Sequence, residues 1–154
     1  MNDKRNETIL QADSIRKYYG GRGNLVKAVD RISFEVKKGE FLGIMGASGS
    51  GKTTLLNCIS TIDTVTGGQQ QRVAIGRALI MQPKLILADE PTGNLDSKNS
   101  QEVLELLTSA SRRFQQTILM ITHNNNLTAS VDRVFRVSDG VLTDLGGTRD
   151  ETLS

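Results

Sequence analysis

From residue 26 to residue 36 apolar and polar side chains alternate, and Ile32, Phe34 and Val36 fall on one side. That is the pattern of a strand with one buried face. Residues 8–14 read as an earlier strand, with a glycine-rich loop over residues 19–23 between the two. Lys37-Lys38-Gly39-Glu40 reads as a turn, and the strand pair is expected to be an antiparallel hairpin. Residues 41–45 (FLGIM) then form a run without a polar position, as expected of a strand buried on both faces. A helix is predicted over residues 54–60 and another over 69–81, the latter closed by Pro83, whose ring conflicts with a continuing helix.

Residues 85–88 make a second buried run that ends in Asp89-Glu90-Pro91. Ser97 suits the N-cap of a helix reaching Phe114, with Val103, Leu104, Leu107, Ala110 and Phe114 along one stripe. Residues 117–122 are a third apolar strand. Residues 133–137 and 141–145, joined around Asp139-Gly140, complete the pattern as a terminal hairpin. Strands alternating with helices imply an α/β fold with a mostly parallel sheet and helices on both faces. We expect one domain over residues 1–146 and a loose tail over 147–154.

Composition changes this picture little. Nineteen basic against seventeen acidic residues leave a net charge of +2, which carries no electrostatic footprint for nucleic acid. A single cysteine, Cys58, excludes an intrachain disulfide and fits a reducing compartment. The first ten residues lack the apolar core of a signal peptide, and no run approaches the ~20 apolar residues of a membrane-spanning helix. A soluble, cytoplasmic protein is expected.

Chemistry enters between the first buried run and the helix after it. Gly46-Ala47-Ser48-Gly49-Ser50-Gly51-Lys52-Thr53 fits the pattern G-x-x-x-x-G-K-[ST]. Its glycines let backbone N–H groups turn inward around phosphate oxygens, and the next helix points its positive end at the same anion. Lys52 is placed to reach the terminal phosphates, and the Thr53 hydroxyl to take a position on Mg²⁺. A glycine-rich turn before a helix is the plain alternative, but a buried strand before it and a helix after it favour the phosphate loop. Asp89 and Glu90 stand at the C-terminal end of the next buried strand, the edge where open α/β sheets bind ligands. Alone such a pair is usually the start of a solvated loop. Beside a phosphate loop, Asp89 fits a Mg²⁺ ligand and Glu90 the group that orients or deprotonates an attacking water.

The run GGQQQRVAIGRALIMQPKLILADEPTGNLDS resembles the second half of an ABC-transporter ATPase. Its order is that of the family's signature motif, Walker B motif and D-loop, and the phosphate loop resembles its Walker A. The resemblance implies a P-loop NTPase fold, with Gly46 to Thr53 and Thr54 on the nucleotide. It implies a signature at Thr66, Gly67, Gly68 and Gln69, a D-loop at Asn94, Leu95 and Asp96, and Thr53 and Asp89 on the metal. It also implies that His123 acts on the γ-phosphate beside Glu90, and that Tyr19 stacks on adenine. Asn124 stands where the family usually has Asp. A lone histidine after an apolar strand is more often a packing residue, and Tyr19, next to Tyr18, could equally lie on a surface groove. ATP and Mg²⁺ are the implied cofactors. A separate membrane permease and a second ATP-binding subunit, in a nucleotide sandwich, are the implied partners. The wording around Thr92 to Ser97, with LLNCISTIDTVT, is similar to the branch of macrolide export, lipoprotein release and resistance to bacitracin-like peptides, and most similar to the last.

One departure is large. Gly67 follows Lys52 by only fifteen positions, where the family has several dozen. An internal deletion there is expected to have removed a strand, the Q-loop glutamine and most of the helical subdomain. Two readings follow. The first is an ATP-hydrolysing subunit that drives export or resistance transport from the inner face of the cell membrane. The alternative is a nucleotide-binding but catalytically impaired remnant.

Overall fold

The computed structural model describes residues 6–47, 49–59, 64–66, 82–93, 95–124 and 129–147. β1 (Thr8–Tyr19) and β2 (Val26–Lys37) pair antiparallel as a two-stranded sheet, in register from Thr8 opposite Lys37 to Tyr19 opposite Val26. β1 is longer than its alternation predicts. Ser14 takes a left-handed φ of 50°, and register shifts follow between Ala12 and Tyr18. Such bulges break the two-residue period that would reveal a strand in sequence. Ile32, Phe34 and Val36 are buried, as their spacing demands.

The hairpin closes through residues 20–25, not through the Lys37–Glu40 turn. That turn, with Gly39 at φ 75° and Glu40 N–H bonded to Lys37 O at 3.1 Å, sends the chain into a second sheet. This second sheet has six strands in the order β4-β5-β6-β3-β7-β8. They are β3 (Phe41–Met45), β4 (Thr64–Thr66), β5 (Ile86–Asp89), β6 (Ile118–Thr122), β7 (Arg133–Ser138) and β8 (Val141–Gly147). β3 to β7 run parallel, and β8 returns antiparallel through a turn with left-handed Asp139 and Gly140. β8 reaches Gly147, two residues past the predicted strand end, and residues 148–154 of the expected tail lie outside the described residues.

β4 was not foreseen. Thr64-Val65-Thr66 pairs along β5, with Thr66 opposite Asp89, between the two helices predicted over 54–60 and 69–81. β-branched residues favour extended backbone. The strand thus occupies the sheet edge beside β5, although the expected deletion was thought to have taken a strand there. The predicted helix over residues 69–81 lies outside the described residues.

Helix α1 (Lys52–Ile59) follows β3 and begins two residues earlier than predicted. Helix α2 (Ser97–Phe114) is capped by Asp96, not Ser97: the Asp96 carboxylate accepts from Asn99 N–H at 2.8 Å. A carboxylate at that position also complements the positive end of the helix. Val103, Leu104, Leu107 and Ala110 are buried as the stripe predicts, but Phe114 is 73% exposed. The helix ends there, where Gln115 turns left-handed, so the last member of the stripe has no neighbouring layer to meet.

β3, β5, β6 and β7 each feed two cores, because successive side chains point to opposite faces. Leu42, Ile44, Leu119, Ile121 and Phe135 pack with Leu55 and Leu56 of α1 and with Val29, Ile32 and Phe34 of β2. Phe41, Met45, Ile118, Met120 and Val134 pack on the other side with Val103, Leu104 and Leu107 of α2. Among the described residues, then, one helix lies on each face, and the hairpin sheet shares its face with α1. This holds the C-terminal ends of β3, β5 and β6 side by side.

Candidate functional site

Burial of β3 fixes where the phosphate loop begins. The strand leaves the core at Met45, and the chain reverses through Gly49 (φ 81°) and Gly51 (φ 105°) before α1. Gly46 is required by crowding, and Gly51 by crowding as well as by dihedral. A Cβ on Gly46 would lie 2.6 Å from Ser50 Oγ, and one on Gly51 would strike the carbonyl oxygen of Ala28 in β2. Ser50 N–H closes onto Ala47 O at 3.1 Å, and Leu55 N–H onto Gly51 O at 2.8 Å. Ser50 Oγ is buried without a hydrogen-bond partner among the described residues. Lys52 is buried, and its ammonium donates to Gly46 O at 2.6 Å and Ala47 O at 2.9 Å. A buried cation held only by neutral carbonyls is poorly compensated, so this loop favours an anion.

The neighbouring strand ends complete the site. Asp89 closes β5 between Thr66 of β4 and Ile121 of β6. Burial, and then the charge of Glu90, hold its carboxyl above the ordinary range, against the opposing pull of Lys52. Glu90 follows at φ 45° and donates its N–H to Ile121 O at 2.8 Å. A non-glycine residue in this conformation costs about 1–2 kcal/mol, and such strain concentrates at functional sites. His123, just beyond β6, sets its Nδ1 3.0 Å from Glu90 Oε1, while its N–H approaches Oε2 at 3.4 Å. This contact across thirty-three residues of sequence is the firmest link between the two acidic-end candidates.

A cavity of about 880 Å³ gathers these groups. Tyr19, Ala47, Gly49 to Thr54, Glu90 and His123 all line it. Gly46 and Asp89 lie just behind that lining, on the residues that precede it. Leu95 packs partly buried beside the α2 core and Asp96 caps α2, so the D-loop candidates stand apart from the cavity. Ser48, Asn94, Gly67, Gly68 and Gln69 lie outside the described residues, and Thr66 is the end of β4, opposite Asp89. The reading from sequence did not identify Val26, Lys27, Ala28, Asp139 and Gly140, which also line the cavity. Asp-Gly was legible as a turn, but nothing local says that this turn reaches the phosphate loop.

The residues present suit a nucleotide with a divalent cation. The Thr53 hydroxyl and Asp89 carboxylate are hard oxygen donors of the kind Mg²⁺ takes, and the raised Asp89 carboxyl is short of positive charge. The loop, its orphaned hydroxyl and Lys52 suit phosphate oxygens.

Known proteins agree with this geometry. The sequence matches the ABC transporter family over residues 29–66 and 60–93. It is 31% identical to the macrolide export ATP-binding/permease protein MacB of Chlorobaculum tepidum, over 88% of this chain and 34% of that protein. It is 30% identical to the lipoprotein-releasing system ATP-binding protein LolD 2 of the same organism, over 90% of this chain and 93% of that one. The fold superposes on the ATP-binding cassette MJ0796, solved as a dimer bound to ADP and Pi, with a TM-score of 0.73 at 23% identity, over 89% of this chain and 99% of that one. The alignment with LolD 2 runs over 230 positions, more than the 154 residues available, so that relative carries a stretch this chain lacks. The two family segments overlap at residues 60–66, beside the point where the short spacing puts the deletion. With its phosphate loop, strand order and relatives in agreement, this chain belongs to the ABC transporter family, as a shortened ATP-binding cassette.

Proposed function

We propose that this chain is the ATP-binding subunit of an ABC transporter, which binds and hydrolyses ATP to drive export or resistance transport through a separate membrane permease. One observation supports the reading above all: Lys52, Glu90 and His123, from three separate stretches of sequence, line a single cavity. Backbone N–H groups of the loop receive the phosphates, and Lys52 turns from the carbonyls of Gly46 and Ala47 to their oxygens. Tyr19 receives the adenine. Thr53 and Asp89 would hold Mg²⁺, which would offset negative charge on the phosphate oxygens. Glu90 accepts a proton from water as its oxygen attacks the γ-phosphorus, and the bond to the β-phosphate oxygen breaks, giving ADP and phosphate. His123 steadies the Glu90 carboxylate and stands next to the phosphate being transferred.

The signature residues Thr66, Gly67, Gly68 and Gln69, with Asn94, Leu95 and Asp96, would act across an interface with a second ATP-binding subunit. The domain extends through Gly147, the end of β8, one residue past the expected boundary. Among the described residues no helix is long and apolar enough to cross a membrane, which accords with a place at the inner membrane face beside the permease. MacB and LolD 2 carry macrolide export and lipoprotein release in their names, and transport of that branch is the reading we adopt over an inert remnant.

Calorimetric titration of Mg-ATP into the purified chain tests this. Lys52→Ala should weaken binding about a hundredfold, the effect of losing charge-assisted bonds to phosphate. Equal affinity of parent and variant would overturn the assignment.

A further inference from the structure

Tyr18 and Tyr19 are neighbours at the end of β1 and do different things. Tyr19 lines the nucleotide cavity, with Lys17 Nζ 5.5 Å from its ring centroid on one face. Tyr18 does not line the cavity. Its hydroxyl donates to Asp30 Oδ1 on β2 at 2.8 Å, and the Lys27 ammonium lies 5.7 Å from its ring centroid. Asp30 in turn donates its backbone N–H to Gly140 O at 2.8 Å, and Gly140 donates its own to Ser50 O at 3.1 Å. Three hydrogen bonds therefore run without a gap from the residue beside Tyr19, through the turn between β7 and β8, into the phosphate loop.

Gly140 makes this path possible. It is left-handed at φ 76°, and a Cβ there would lie 2.7 Å from Lys27 O and 2.9 Å from Ala28 O. The turn therefore sits flush on β2, two residues from Asp30.

Building on the nucleotide reading, we propose that Tyr18 and Asp30 are positioning residues. They hold the Tyr19 ring at the distance from the phosphate loop that an adenine nucleotide requires. A nucleotide has a fixed span between base and phosphates, so both halves bind well only if the protein's two contact points share that span. An aromatic stack adds affinity for a base only while the ring is held in place, and is lost when the ring can swing away. The Tyr18 bond itself is charge-assisted: it is the leading cause that holds the Asp30 carboxyl below its usual range and the Tyr18 hydroxyl above its own.

The test compares two ligands, Mg-ATP and inorganic tripolyphosphate with Mg²⁺, on the full chain by calorimetry. Tyr18→Phe removes one hydroxyl and keeps the ring. It should weaken ATP about threefold to tenfold, the range of one ordinary net hydrogen bond felt indirectly at the ring, and leave tripolyphosphate binding unchanged. In a Tyr19→Ala background the same change should add nothing, because the group it positions is gone. If Tyr18→Phe weakens both ligands equally, changes neither, or adds its full effect to Tyr19→Ala, the brace is wrong while the nucleotide site stands. A parent chain that binds neither ligand overturns the nucleotide reading and the brace with it.

Discussion

The two ends of the parallel sheet treat charge differently. At the N-terminal end charge is matched. The Arg133 guanidinium pairs its charge with Glu40, Nε lying 2.9 Å from Oε1 although its N–H is not aligned for a hydrogen bond, and stacks 4.8 Å from the Phe135 ring centroid. Asp132 Oδ2 accepts from Phe41 N–H at 2.9 Å, and Thr117 Oγ1 from Gly39 N–H at 2.8 Å. At the C-terminal end charge is less fully matched. Among the described residues Lys52 donates to two carbonyls, Ser50 Oγ has no partner, Asp89 is held above its ordinary range despite the pull of Lys52, and the strained Glu90 meets the exposed His123. The same strands and the same cores thus end in one edge built for stability and one built for a ligand, whose arrival supplies the missing partners.

The largest break in this comparison should come at the less matched end. Glu90→Gln keeps the shape and the reach to His123 but cannot take a proton from water. Phosphate release should fall by about 10²–10⁴, with ATP affinity nearly unchanged. A variant as fast as its parent would remove Glu90 from the reaction.

At the matched end, Arg133→Met should act on stability alone. Leaving Glu40 without its cation should cost about 1–3 kcal/mol, read as a lower urea midpoint. Nucleotide affinity should stay at the parent value, and a loss of affinity would mean that the two ends are coupled.

The smallest effect is the most telling. Asp89 keeps its proton more tightly in the folded chain than in the unfolded one. Between its ordinary value and its raised value the folded state binds the extra proton, so stability falls as pH rises through that window. Asp89→Asn should therefore melt slightly higher than the parent at pH 7 without metal, and equal it at pH values below the ordinary carboxylate range. The gain should vanish when Mg-ATP is added, because only the parent can hold the cation. A lower melting temperature for the variant at pH 7 would show that Asp89 is not short of positive charge.

Local chemistry carried most of the site into the sequence. Gly46, Gly51 and Lys52 are legible because a phosphate loop needs glycine at left-handed and crowded positions, and those needs are met within eight residues. Asp89 and Glu90 are legible because an apolar run ends on them. What escaped depends on distant partners. The Lys37–Glu40 turn says that the chain reverses but not that it changes sheets. Thr64-Val65-Thr66 is too short for a period, and its strand character comes from lying along β5. Phe114 fits the helical stripe, yet burial depends on a layer that ends one turn earlier. Ser97 and Asp96 are both good caps by residue type, and only the bond to Asn99 distinguishes them.

The strand order also sets a schedule for folding. The β1–β2 hairpin is complete once residue 37 exists, since its partners are close in sequence. β3 has no such option: its neighbours are β6 and β7, which begin at Ile118 and Arg133. Pairings this remote must close a long loop before they repay its entropy, so they form late. The phosphate loop waits longer still, because Gly140 supplies one of its braces. On a ribosome, the motif at residues 46–53 would be present in sequence long before it could take its shape. The first nucleotide to bind would then mark a chain whose last hairpin is already in place.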